Sequence, residues 1–343
     1  MFAFALVSQR AEAGVVTAPM AFVLFGLLVS PAALDVVDIP FQTTFMNDLA
    51  EITLVLVLFT DAARIDLRRL NAQHSLAVRM LGLGLPLTIA AGAGLALLLF
   101  PDMGLWSACL LGVILAPTDA ALGQAVVMNE RVPLRIRQTL NVESGINDGL
   151  AFPALLVFMS LVGLAEETRG LADWLVFIAM QLVLGPLAGI AVGLIGGTLV
   201  ERAVKRRLMN HVFVQISVLS LALLAFGGAE LIGGNGFMAA FCAGLCVATR
   251  SRALLESIED FGETEGHLLA LIVFFLFGAT MASQAVADIR WLDVIYAVAS
   301  LTIVRMLPVA LSLIGSRLYP ATVFFLGWFG PRGLASILYL LLV

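Results

Sequence analysis

Six ionisable side chains sit inside stretches that are otherwise almost wholly apolar: Asp119, Glu143, Asp148, Glu230, Arg305 and Arg332. Buried in a hydrophobic medium, such a group is costly unless it is paired, hydrated or used. Three of the stretches carry further polar or helix-breaking residues. The first reads Gly112-Val113-Ile114-Leu115-Ala116-Pro117-Thr118-Asp119-Ala120. Proline removes a helical hydrogen bond and clashes with the preceding turn, so the helix is predicted to break there. The freed carbonyls, the Thr118 hydroxyl and the Asp119 carboxylate are oxygen ligands suited to a hard cation.

The second stretch reads Glu143-Ser144-Gly145-Ile146-Asn147-Asp148-Gly149. At about 100° per residue, Glu143, Ser144, Asn147 and Asp148 fall within an arc of about 140°. Two carboxylates, an amide and a hydroxyl on one stripe suit a cation site or a proton relay. A plainer origin, a helix start at the membrane edge, accounts for Glu143 but leaves Asp148 within apolar sequence. In the third stretch, Gly330-Pro331-Arg332-Gly333 again interrupts an apolar run. Arg332 stays charged at any relevant pH and needs a partner; Glu143 is the acid expected to supply it. Arg305 is expected to be held by structural pairing, and Glu230 to be solvated beside the turn Gly233-Gly234-Asn235-Gly236. Glu51 and Asp61, near opposite ends of one segment, read as solvated by headgroups.

The elements that position these groups must be membrane helices. The 343 residues are 61% hydrophobic and 13% charged, with a net charge of −5 and a mean hydropathy of +1.04. Soluble domains are about 45–50% apolar and about 25% charged, so an all-α polytopic membrane protein is implied. Nucleic-acid partners, disulfide scaffolds and disordered chains are excluded. Cys109, Cys242 and Cys246 lie in apolar runs and read as buried filling. No cofactor and no enzyme chemistry is indicated.

Spans of about 20 apolar residues give twelve candidate segments, numbered 1 to 12 in chain order: 1–7, 16–33, 49–62, 76–100, 105–127, 140–164, 174–200, 212–232, 236–249, 268–285, 292–314 and 321–343. Fourteen of the nineteen basic residues fall in connections after odd-numbered segments, and a fifteenth, Arg79, in the first turn of the fourth segment beside such a connection; only Arg169 and Arg290 follow even ones. Basic loops stay cytoplasmic, which places the N-terminus outside. Nothing at the start resembles a signal peptide. Interrupted helices in corresponding positions point to a secondary transporter built from inverted repeats. His74, His211 and His267 read as solvated loop residues, and Glu256, Glu259, Asp260, Glu263 and Glu265 as the polar face of a short cytoplasmic helix.

Pro117-Thr118-Asp119, the Glu143–Gly149 run and Gly330-Pro331-Arg332-Gly333 together resemble the signature of NhaP-type sodium/proton antiporters, within the monovalent cation:proton antiporter-1 family. Leu58-Phe59-Thr60-Asp61-Ala62 and Gly234-Asn235-Gly236-Phe237 extend the likeness along the chain. The resemblance implies an NhaA-like fold of thirteen helices with two crossing broken helices. Panel helices would occupy 1–70 and 166–290, and core helices 71–165 and 291–343. It implies a homodimer in the bacterial inner membrane that exchanges Na+, or Li+ or K+, for H+ in pH homeostasis. Asp148 would bind cation or proton, with Thr118, Ser144 and Asp119 as further ligands. Asn147 would orient Asp119, and Glu143 and Arg332 would form a structural ion pair. An asparagine before the essential aspartate implies electroneutral exchange. Against thirteen helices, the chain is expected to lack part of the first and the whole of the last. From the residues alone, a cation channel, an intramembrane hydrolase with paired aspartates, and a non-transporting sensor or scaffold stay open.

Overall fold

Long apolar runs with few breakers become long helices here, and the breakers fall where helices stop. The computed structural model describes residues 4, 6, 17–36, 44–64, 75–119, 132–166 and 171–343. Most of the first candidate segment, the part of the fifth from Ala120 onward, and His74 lie outside the described residues. Among the described residues every regular element is helical.

In chain order these are α1 (Ala18–Val29), α2 (Thr44–Ala63), α3 (Ser75–Leu99), α4 (Leu105–Ile114) and α5 (Leu134–Glu166). Then come α6 (Leu171–Lys205), α7 (His211–Leu231), α8 (Gly236–Arg250) and the short amphipathic α9 (Arg252–Phe261). The last four are α10 (Thr264–Val286), α11 (Trp291–Ser312), α12 (Pro320–Trp328) and α13 (Leu334–Leu342). Asn210 and Asn235 start α7 and α8 by accepting the amides of Phe213 and Met238 at 3.0 and 2.9 Å, the usual use of asparagine at a helix start.

Among the described residues six helices are long and apolar enough to cross a membrane: α3, α5, α6, α7, α10 and α11. Over an apolar 18-residue stretch of each, only 28–39% of positions are buried. The remainder puts side chains such as Leu98, Val183, Leu224 and Ile303 outward, a surface stable only against lipid. The chain is an integral membrane protein. The difference from twelve equivalent spans has local causes. α2 carries Asp48, Glu51 and Asp61, α1, α4 and α8 are short, and the final apolar run is divided into α12 and α13.

Two packing groups surround the interruptions. In one, α8 is buried among α2, α6 and α7. Gly185, Gly189 and Gly193, one per helical turn of α6, let its backbone meet Asn235 at the start of α8 and Ala239 and Ala243 within it, with no room for a Cβ. In the other, α3 packs on α4 and α11, and α11 packs on α12. There the Tyr296 hydroxyl donates to the Gly92 carbonyl at 3.2 Å. α5 packs against both groups, and α13 against α2, α4 and α10.

Candidate ion-binding site

The expected break in the fifth segment is present. α4 ends at Ile114, and Pro117, Thr118 and Asp119 form no regular structure. The second break separates α12 from α13 at residues 329–333, and the two breaks lie against each other. The Asp119 amide donates to the Pro331 carbonyl at 2.9 Å. Asp119 Oδ2 accepts the Leu334 amide at 3.3 Å, placing a carboxylate at the N-terminal, positive end of α13. In the opposite sense, Arg332 donates to the carbonyls of Ala116 (2.6 Å) and Pro117 (3.3 Å), just past the C-terminal end of α4. Each break thus supplies the charge that the other's helix end needs.

Two glycines allow this approach. A Cβ on Gly330 would come within 2.7 Å of Arg305 Nε, and one on Gly333 would collide with the Asp119 side chain. Gly333→Ala is therefore expected to lower thermal stability by about 1–3 kcal/mol, as forced overpacking does. Gly145→Ala is the control, because its Cβ meets nothing within 4 Å and alanine favours a helix interior by about 1 kcal/mol. Equal losses for the two variants in a detergent melting experiment would contradict the geometry.

Against the first break lies α5, with Glu143 well inside the helix and not at its start. Asn147 Nδ2 donates to Thr118 Oγ1 at 2.7 Å and lies 3.3 Å from the Thr118 carbonyl. Thr118 Oγ1 and Ser144 Oγ are 3.3 Å apart. Asp148 is 9% exposed, and its Oδ1, like Asn147 Oδ1, is buried without a hydrogen-bond partner. Thr118, Ser144, Asn147 and Asp148 thus come together, as their types and spacing suggest. Asp119 adjoins them through the break.

Three expectations are corrected. Glu143 does not pair with Arg332: its Oε1 accepts from Arg305 Nη2 at 2.6 Å, and both side chains are 3% exposed. Arg332 is instead occupied by backbone carbonyls, including that of Ser300 at 3.2 Å, beside the break in α11 at Thr302. Asn147 donates to Thr118, while the Asp119 carboxylate accepts the Leu334 amide of the second break. Asp61, read as headgroup-solvated, lies close enough to Asp119 and Asp148 for the carboxylates to act on one another. Glu230 is exposed and accepts the Gly236 amide at 2.8 Å, bracing the α7–α8 turn.

Sequence reasoning also missed Tyr339, whose hydroxyl donates to the Asp148 carbonyl at 2.6 Å from within α13. An aromatic in an apolar run reads as filling, so no signal marked it.

Residues 1–343 match the family described as "Sodium/hydrogen exchanger, transmembrane". The chain belongs to the sodium/hydrogen exchanger family. It is 26% identical over 340 residues to the K(+)/H(+) antiporter NhaP of Alkalimonas amylolytica, covering 97% of this chain and 56% of that protein. It is likewise 26% identical to Na(+)/H(+) antiporter 2 of Zygosaccharomyces rouxii, over 92% of this chain and 41% of that one. The chain therefore spans only about half the length of these curated relatives. Its fold is that of the sodium proton antiporter MjNhaP1 from Methanocaldococcus jannaschii, solved at pH 8, with a TM-score of 0.79 and 22% identity. That likeness covers 98% of this chain and 82% of that one.

Proposed function

We propose that this family member exchanges a monovalent cation for a proton by alternating access, with Asp148 as the shared carboxylate. The observation that carries the reading is the buried, partnerless Asp148 Oδ1, one helical turn from Ser144, which with Asn147 meets Thr118 of the first break. A buried carboxylate with an unused oxygen must take a proton or a cation, because leaving it bare is costly. The empty, charged site is the state least able to move, and this makes the exchange obligatory. Relatives named for Na(+)/H(+) and for K(+)/H(+) exchange support cation:proton coupling. Oxygen ligands admit Na+, Li+ and K+ alike, and cavity size chooses among them.

One proton per cation follows from how the other acids are engaged. Glu143 is held by Arg305, and Asp119 by the start of α13. Of the three carboxylates at the breaks, Asp148 is the one left to alternate between the two ligands, with Asp61 close enough to act on it. The transport cycle proposed has α3–α5 and α11–α13 moving as a core against a panel that includes α2 and α6–α8, in a homodimer of the bacterial inner membrane. Two facing interruptions support the inverted-repeat architecture. The basic loops support an external N-terminus and cytoplasmic odd-numbered connections.

The test uses the purified chain in liposomes loaded with a pH-sensitive dye. An outward gradient of Na+, Li+ or K+ is expected to acidify the lumen as H+ enters in exchange, at a rate unchanged when the membrane potential is clamped at different values. Coupled flux that follows the potential would contradict one-for-one exchange. No coupled flux with any of the three cations would contradict antiport.

A further inference from the structure

Buried hydroxyls on these helices commonly satisfy themselves on their own backbone. Thr60, Thr88, Thr280 and Ser312 each donate to a carbonyl three or four residues back. Ser336 does not. It is 8% exposed, and its Oγ has no hydrogen-bond partner. The cause is local: α13 begins at Leu334, so residues 332 and 333 lie in the break, and Gly333 is extended. No aligned carbonyl stands behind Ser336 to receive its proton.

Two contacts fix where Ser336 stands. Two residues before it, the Leu334 amide meets Asp119. Three residues after it, on the same helix face, the Tyr339 hydroxyl meets the Asp148 carbonyl. Tyr339 is fully buried, and its ring packs on Phe152 of α5 at 5.7 Å. α13 therefore runs from Asp119 to Asp148, with Ser336 between these contacts. Asp148 Oδ1 and Asn147 Oδ1, and Glu143 Oε2 one turn before Asn147, are likewise partnerless among the described residues. Neutral and anionic oxygens together make the ligand set of a hard cation.

We propose that Ser336 is a further ligand of the transported cation, supplied by α13, so that the bound ion joins the second interrupted helix to α5. This rests on the antiport reading above. It makes α13 a determinant of cation affinity and of the choice among Na+, Li+ and K+, and not only a counter-charge for Asp119.

The experiment compares wild type with Ser336→Ala and Ser336→Cys in dye-loaded liposomes. It is paired with the Na+ dependence of thermal unfolding in detergent. Loss of one neutral oxygen ligand is expected to raise the apparent KM for Na+ roughly three- to tenfold, on the scale of a single hydrogen bond. The rate at saturating Na+ should be retained, and the Na+ midpoint for thermal stabilisation should move by the same factor. Cysteine keeps the volume but replaces a hard oxygen with soft sulfur, so it should behave as alanine does and serves if the alanine variant does not fold. Wild-type KM and midpoint in either folded variant would overturn the assignment of Ser336 while leaving antiport standing. Absence of coupled flux in wild type would instead overturn antiport itself.

Discussion

Replacing Arg305 with alanine is expected to cost about 3–5 kcal/mol of stability, the range for removing one partner of a buried ion pair. Arg305 and Glu143 meet at 2.6 Å with both side chains 3% exposed. Glu143 Oε2 has no partner even with Arg305 in place. Without the guanidinium, the whole carboxylate would be buried and uncompensated. In a detergent melting experiment Arg305→Ala should therefore unfold at a much lower temperature than wild type or fail to be recovered. Adding Glu143→Gln should return part of the loss, because it removes the stranded charge. The decisive quantity is the coupling in a double-mutant cycle, which isolates a pairwise contribution. Glu143 should couple to Arg305 and much more weakly to Arg332, which donates to the carbonyls of Ala116, Pro117 and Ser300. Stronger coupling between Glu143 and Arg332 would restore the pairing expected from sequence and contradict the structure.

That correction shows where a single sequence stops being informative. Pro117 and Pro331 were legible as breaks because each proline, which costs a helical hydrogen bond, is directly followed by a polar residue in an apolar run. Pro153, Pro186 and Pro308 have no such neighbour and lie inside helices. The stripe of Ser144, Asn147 and Asp148 was legible because helical periodicity fixes one face without reference to the rest of the fold. Partner choice was not. Two arginines were available for one glutamate, and nothing local says that the interruptions would present Arg332 with carbonyls needing donors. Asp61 was misread because distance along an apolar run was taken for depth in the membrane. In the fold, its end of α2 approaches the interruptions. Ser336 and Tyr339 gave no signal, since what places them is the reach of Tyr339 from α13 to Asp148 and Phe152 of α5. The long helices were legible to within a few residues, as for α3 and α7. The divided ones were not, because a broken helix has the composition of an intact one.

The largest effect on transport is expected from Asp148. Asparagine has nearly the same shape and keeps the backbone carbonyl that Tyr339 holds, so Asp148→Asn should fold and melt close to wild type. It can neither release a proton to an incoming cation nor offer a negative oxygen in place of the partnerless Asp148 Oδ1. Neither Glu143, paired with Arg305, nor Asp119, at the start of α13, substitutes for it. The most direct measurement is cation-driven proton flux in liposomes, with wild type and Asp148→Asn reconstituted at equal density and checked for equal thermal stability. The account expects wild-type flux with at least one of Na+, Li+ and K+, and flux no greater than that of empty liposomes for the variant. An Asp148→Asn protein that exchanges at the wild-type rate would contradict it.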